Sequence, residues 1–155
     1  MVYRRVIHKK LGKLLVERNI INEEQLNQAL ELQKETGGLF GQILVSLGFA
    51  TEEAITQALT AQYGFPYLPL RQYEIDDEVV KIVPENVARQ YFLVPVDRVG
   101  DILTIAMADP LDVNAIEDIE MHSHCSVQVF VSTLSDVIEA ISKYYDGNNH
   151  VQKEA

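Results

Sequence analysis

A cluster of basic side chains lies at the start of the chain, ahead of the first carboxylate. It consists of Arg4, Arg5, Lys9, Lys10 and Lys13. A positive edge of this kind can receive a small anion, although a solvated N-terminal turn is the simpler alternative. The whole chain has a formal net charge of −10. That charge argues against a nucleic-acid polymer as a partner, because such binding depends on neutralising phosphates.

Three further residues, His122, His124 and Cys125, have side chains soft enough to bind zinc. A tetrahedral zinc site needs four ligands, or three and an open position. Nothing at ligand spacing completes the set, so we predict no metal site and interpret the segment as a turn. The patterns GxxxxGKS/T, GxSxG, HExxH and paired CxxC do not occur. We therefore predict that the chain is not an enzyme.

The compartment follows from what the sequence lacks. No apolar run is long enough to cross a membrane, and the basic N-terminus leads into no apolar signal-peptide core. A single cysteine excludes an internal disulfide and fits a reducing compartment. We expect a cytoplasmic protein without direct membrane insertion.

A duplicated stretch organises the first part of the chain. Residues 11–34 align with residues 40–63 at a constant offset of 29, and nine of the 24 pairs are identical. The identical pairs are Gly12/Gly41, Leu15/Leu44, Val16/Val45, Glu23/Glu52, Glu24/Glu53, Gln28/Gln57, Ala29/Ala58, Leu30/Leu59 and Gln33/Gln62. Internal repeats fix an architecture, and two copies predict one compact unit with approximate two-fold symmetry.

Each copy has the pattern of a short helix, a turn and a longer helix. Asn19 and Gly48 can close the first helix in the left-handed conformation, and Asn22 and Thr51 are predicted to cap the second. The longer helices carry an apolar stripe at spacing i, i+4 and i+7, which is one helix face. The stripes are Leu26, Leu30 and Gln33 in the first copy and Ile55, Leu59 and Gln62 in the second. Both end in glutamine, where a core stripe would not need one.

The remainder has a different periodicity and predicts an α+β fold. We expect residues 1–66 to form a helical lobe, 67–146 a small three-stranded sheet with flanking helices, and 147–155 a disordered tail. The predicted strands are 92–96, 102–107 and 127–131, with Pro95 marking an edge strand. Asp109 and Pro110 are predicted to be the N-cap and first residue of a helix that ends near Met121.

The two repeats, LGxxLVxxxxIxxxQLxxALxxQ and its copy, resemble the N-terminal domain of the ATPases of type II secretion and type IV pilus systems. The similarity is to the MshEN type, which binds the bacterial second messenger cyclic di-GMP. The connector at 64–67, the helix start at 83–86 and the turn at 107–110 are similar to the rest of that domain. The resemblance covers residues 8–146 and does not extend to the motor domain of those ATPases. It implies a free-standing receptor module with cyclic di-GMP as ligand and a secretion- or pilus-type protein as partner.

The resemblance also implies which residues contact the ligand. Leu11-Gly12 and Phe40-Gly41 would face the phosphates and ribose, and Gly38 would allow a close backbone approach. Apolar support for the bases would come from Leu26, Leu30, Ile55 and Leu59, and hydrogen bonds from Gln33 and Gln62. Asp109 would accept from the N1–H and N2–H of a guanine, in competition with its interpretation as an N-cap.

Two positions depart from the family pattern. Lys10 and Leu39 precede the two Leu-Gly-type starts, where the family favours arginine. Arginine donates in a planar fork, whereas lysine is a point charge. Two hypotheses follow: a cyclic di-GMP receptor module, or a degenerate docking domain that contacts protein partners without binding nucleotide.

Overall fold

The computed structural model describes residues 11–146, and its contacts divide the chain into two compact units after Gly64. Lys10 and the predicted tail at 147–155 lie outside the described residues. The two units are described separately below. In the part of the chain that is described, no helix is long and apolar enough to cross a membrane.

The first unit is helical. Its described helices are residues 11–17 (α1), Glu23–Thr36 (α2), Phe40–Ser46 (α3) and Glu52–Tyr63 (α4). Helix α2 begins at the predicted N-cap, where the Asn22 side chain accepts from the Gln25 N–H and the Gln25 side chain accepts from the Asn22 N–H. Helix α4 begins at Thr51, which accepts from the Ala54 N–H. Both predicted caps are confirmed, and the glutamate pairs occupy the first turns that follow them, where the helix dipole favours negative charge.

The turns between the short and long helices repeat their backbone hydrogen bonds at the offset of 29. Ile20 N–H donates to the Leu15 carbonyl and Phe49 N–H to the Leu44 carbonyl, each at 2.9 Å. The closing residues have positive φ in both copies, 60° at Asn19 and 74° at Gly48. This is the left-handed conformation that asparagine and glycine tolerate best, so the sequence difference between them leaves the turn unchanged.

Apolar side chains from all four helices form the core of the first unit. The buried residues are Leu11, Leu14, Leu15, Ile21, Ala29, Phe40, Ile43, Leu44, Ile55, Ala58 and Leu59. Helix α3 contacts both α2 and α4. Helix α3, the short helix of the second copy, therefore packs against both of the long helices that carry the stripes.

The second unit is a three-stranded sheet with flanking helices, so the predicted α+β class is confirmed. In chain order it contains a 3₁₀ turn at Leu70–Gln72, α5 (Asp77–Val80), α6 (Glu85–Tyr91), β1 (Leu93–Val99), β2 (Ile102–Met107), α7 (Val113–Ser123), β3 (Ser126–Val131) and α8 (Leu134–Ile141), which continues as a π-helical turn to Asp146. The sheet order is β1-β2-β3. Strands β1 and β2 are antiparallel and β2 and β3 parallel, joined by the α7 crossover.

Strand β1 is an edge strand, as Pro95 predicts, because proline cannot donate to a ladder. It is longer than predicted, since it pairs as far as Val99 opposite Ile102, and a bulge lies between Pro95 and Asp97. At the other edge the connector from the first unit pairs with β3. Leu68 N–H donates to the Val131 carbonyl at 3.0 Å, and Val131 N–H donates to the Pro66 carbonyl at 2.9 Å.

The prediction for the start of α7 is wrong. Helix α7 begins at Val113, and its N-cap is Asp112, whose side chain accepts from the Ala115 N–H at 3.2 Å. The carboxylate of Asp109 instead accepts from the N–H of Leu111, two residues later, also at 3.2 Å. An aspartate that binds its own backbone two residues on forms a turn rather than a helix start. Pro110 therefore lies in a turn and not in the first turn of α7.

Candidate functional site

The residues that the sequence singles out lie in both units. Thirteen were expected to contact a ligand within or just before the repeats, and twelve of these are described. Leu11 and Gly12 lie in α1, Leu26, Leu30 and Gln33 in α2, Gly38 and Leu39 in the α2–α3 loop, Phe40 and Gly41 in α3, and Ile55, Leu59 and Gln62 in α4. Asp109 lies between β2 and α7 in the second unit. Lys10 precedes the first described residue.

These side chains differ sharply in exposure. Leu11, Phe40, Ile55 and Leu59 are buried, with Phe40 and Leu59 completely inaccessible. Leu26, Leu30, Gln33 and Leu39 are half-buried, and Gly38 and Gln62 are exposed. In this conformation the buried set supports the backbone from the core, and the half-exposed set offers the surface that a ligand can touch.

A close approach joins α1 to α2. A Cβ atom placed on Gly12 would lie 2.4 Å from Cδ1 of Leu26 and 3.6 Å from the Phe40 ring. Real Cβ atoms do not come so near to carbon, so this position has room only for glycine while Leu26 keeps its place. In the second copy a Cβ on Gly41 would lie 3.8 Å from Cδ1 of Ile55, an ordinary contact. The same pair of positions is thus in contact in both repeats, more tightly in the first.

Gln33, the stripe glutamine of the first copy, binds the loop that follows α2. Its Nε2 group donates to the Gly38 carbonyl at 3.0 Å, and its own carbonyl accepts from the Gly37 N–H at 2.8 Å. The structure thus brings together two residues, Gln33 and Gly38, that the sequence predicted separately. Sequence reasoning did not find this bond, because it depends on how the glycine loop turns back over the end of α2.

The other stripe glutamine, Gln62, lies exposed in the last turn of α4. The helix ends directly after it, at Gly64, whose φ is 73°. An exposed amide at a helix end can donate and accept at a base edge without first leaving a buried partner. Gln57, which also recurs in both copies, lies exposed earlier in the same helix.

Asp109 is a buried carboxyl group in the second unit. Its side chain is 7% exposed, and Asp112 nearby is also buried. Burial, with a smaller contribution from the charge of Asp112, raises the pKa of Asp109 to about 6, while the hydrogen bond from the Leu111 N–H acts in the opposite direction. A carboxylate in such surroundings is less stable than in water, so a partner that donates hydrogen bonds to it would be favoured.

Known proteins similar to this chain identify its class. Residues 63–150, more than half of the chain, match the MshEN domain family. Over 136 residues the chain is 35% identical to the type IV pilus assembly ATPase PilB of Myxococcus xanthus. Over 142 residues it is 25% identical to the type II secretion system protein E of Xanthomonas campestris. Each match covers 88% of this chain but only about a quarter of the relative, 24% and 25% respectively.

Solved structures extend the match over the repeats. The structure of MshE with cdg, which denotes cyclic di-GMP, is 35% identical, has a TM-score of 0.68, and aligns with 87% of this chain and 98% of that one. The N-terminal domain of XpsE has a TM-score of 0.73 at 20% identity, covering 89% and 95% of the two chains, and shows the shared fold. The chain belongs to the MshEN domain family. It is related to the N-terminal regions of type IV pilus and type II secretion ATPases.

Proposed function

We propose that this chain is a non-enzymatic receptor module that binds cyclic di-GMP. The observation that carries the proposal is the similarity to MshE, whose structure was solved with cdg, at 35% identity over 87% of this chain. The second support is the duplication itself. Cyclic di-GMP is two-fold symmetric, so a duplicated helix–turn–helix can place related residues beside each half of the ligand.

Within the repeats, the exposed and half-exposed residues supply the direct contacts in this proposal. Leu26 and Leu30 support the flat face of a guanine, because they are only half-buried and apolar side chains stack well against aromatic rings. Gln62 provides an amide at a base edge. Leu11, Phe40, Ile55 and Leu59 act from the core by holding the helices that carry these groups.

In the proposal Lys10 supplies a positive charge to the ligand. The position before α3 is Leu39, which cannot contribute charge. The N-cap residue of α3 makes no side-chain capping bond, and Gly12 and Gly41 place no side chain at their positions in α1 and α3. A receptor with lysine in place of one arginine and leucine in place of the other would bind more weakly, since a good bidentate contact to a guanine contributes about 1–3 kcal/mol.

Asp109 supplies a separate recognition element. A carboxylate accepts simultaneously from the N1–H and N2–H of guanine, a pair of donors that adenine lacks on that edge. We propose that Asp109 makes this contact, and that it selects guanine over adenine. The wider role that follows is to report ligand occupancy to a partner of a secretion- or pilus-type machine in the cytoplasm.

The glutamines of α4 provide a matched test. Gln62→Ala is expected to weaken cyclic di-GMP binding by about tenfold, because one or two hydrogen bonds to the ligand are lost. Gln57→Ala removes the same side chain from another exposed position of α4 and is expected to leave the affinity unchanged. Calorimetric titration of both variants beside the parent chain measures the difference. Equal affinities for the two variants would contradict the stripe assignment.

A further inference from the structure

The loop between α2 and α3 is held by one residue at two points. Gln33 accepts from the Gly37 N–H through its backbone carbonyl, at 2.8 Å, and donates to the Gly38 carbonyl through Nε2, at 3.0 Å. We refer to these two hydrogen bonds as the Gln33 clamp. The first is an ordinary helix-end bond. The second crosses the loop and depends on the side chain.

The loop needs such a constraint because its backbone is intrinsically permissive. Gly37 and Gly38 have φ of 73° and 92°, and a Cβ on either would meet nothing within 4 Å. Glycine visits many conformations at similar free energy, so packing does not select this one. Thr36 contributes bonds from its hydroxyl to the carbonyls of Leu32 and Gly37, which fix the start of the loop. The Gln33 amide fixes its far end, directly before Leu39.

The second copy has no counterpart to this arrangement. Gly38 aligns with Tyr67 at the offset of 29, and Tyr67 belongs to the second unit, after the chain has left the repeats. Gln62 therefore has no inter-repeat loop to hold. The two glutamines are identical in sequence position, but their surroundings differ.

We propose that Gln33 is a positioning residue of the ligand site, whereas Gln62 contacts the ligand directly. The Gln33 amide stays on the Gly38 carbonyl and sets the path of residues 38–41 into α3. Two experiments test this inference. The structural arm examines the ligand-free chain and is independent of the proposed function, whereas the binding arm measures affinity for cyclic di-GMP and rests on the proposed function. The sequence alone predicts equal roles for the two glutamines, so the difference comes from the structure.

The structural arm uses the ligand-free chain. Gln33→Glu keeps the size of the side chain but replaces the donating amide by an acceptor, which repels the Gly38 carbonyl. Gln28→Glu makes the same change at an exposed position of α2. We expect Gln33→Glu to shift the backbone amide resonances of residues 37–40 and to speed their hydrogen exchange, while Gln28→Glu leaves both as in the parent. Unchanged shifts and exchange in Gln33→Glu would overturn the inference, whether or not the chain binds cyclic di-GMP.

The binding arm separates positioning from direct contact. Gln33→Ala is expected to weaken cyclic di-GMP binding about fivefold, as befits one neutral hydrogen bond. Because the Gln33 amide acts within the free chain, Gln33→Ala should also speed hydrogen exchange of residues 37–40 before ligand is added, whereas Gln62→Ala should not. A loss of affinity in Gln33→Ala without any change in the free loop would overturn the positioning role. If the parent chain does not bind cyclic di-GMP, the proposed function is wrong, and the hydrogen-exchange experiment on the ligand-free chain alone tests whether Gln33 holds the loop.

Discussion

Asp109→Asn is expected to become more favourable for the stability of the ligand-free chain, relative to the parent chain, as the pH rises from 4 to 7. Burial raises the pKa of this carboxyl from 3.8 to about 6. The folded chain therefore holds a proton that the unfolded chain releases between these two values, and its stability falls as the pH rises through that window. A shift of this size corresponds to about 3 kcal/mol at most, at about 1.4 kcal/mol per pKa unit. Asparagine has no proton to lose, so the loss is absent in the variant.

Urea unfolding of the parent and the variant between pH 4 and pH 7 measures this effect. The difference in unfolding free energy is expected to grow in favour of the variant, most steeply between pH 4 and pH 6, and to level off only towards pH 7, because the folded carboxyl is still half protonated at its pKa of about 6. Asp101→Asn, at the exposed hairpin between β1 and β2, provides the control and should change the free energy by less than about 0.5 kcal/mol at every pH. A difference between parent and Asp109→Asn that does not change with pH would contradict the raised pKa.

The same substitution has the opposite effect on ligand binding in the proposed function. The carboxylate that is unfavourable in the free chain accepts two hydrogen bonds from a guanine, so the ligand offsets the cost of its burial. Asparagine cannot accept both, and the binding affinity should fall. Gain in stability with loss of affinity is common at binding sites, where a group is kept for its ligand rather than for the fold.

Gly12→Ala is expected to be less favourable for the stability of the first unit than Gly41→Ala by about 0.5–1.5 kcal/mol, the cost of moving the Leu26 side chain out of its rotamer. The new Cβ would lie 2.4 Å from Cδ1 of Leu26, so Leu26 must move. Alanine also favours the helix over glycine by about 1 kcal/mol, which offsets most of that cost, and the Phe40 ring at 3.6 Å is in ordinary contact. The midpoint of urea denaturation, followed by helical circular dichroism, measures the change.

The second repeat supplies the control for this prediction. In Gly41→Ala the new Cβ meets Ile55 at 3.8 Å, an ordinary contact, so only the gain in helix propensity remains, up to about 1 kcal/mol. The two substitutions are chemically identical and occupy aligned positions. Equal effects on stability would show that the tight approach of Leu26 to Gly12 carries no energetic weight.

The sequence predicted the parts of the fold that depend on local chemistry. Asn22 and Thr51 begin the long helices because their side chains accept from N–H groups three residues on, a contact within one turn. The edge position of β1 follows from Pro95, which lacks a donor. The two caps bind neighbours in the chain and the missing donor belongs to Pro95 itself, so both patterns are visible without a structure.

The sequence was misleading where two local patterns competed. Asp109 followed by proline has the composition of a helix start and also of a turn, and Asp112 offers a second cap three residues later. The structure has the turn first and the helix second. The Gln33 clamp was not predicted either, because the partner of the side chain is a carbonyl whose position depends on two glycines with positive φ. Such conformations follow from the closure of the whole loop rather than from residue types.

Calorimetric titration of the purified chain with cyclic di-GMP, beside GTP and cyclic di-AMP, tests the central claim most directly. We predict one ligand per chain at low micromolar affinity, with no measurable heat from cyclic di-AMP or GTP, and a rise in the melting temperature that follows the occupied fraction. No heat and no thermal shift with cyclic di-GMP at tens of micromolar would contradict the receptor role. That result would instead favour a domain that has kept the MshEN fold for docking to a protein partner.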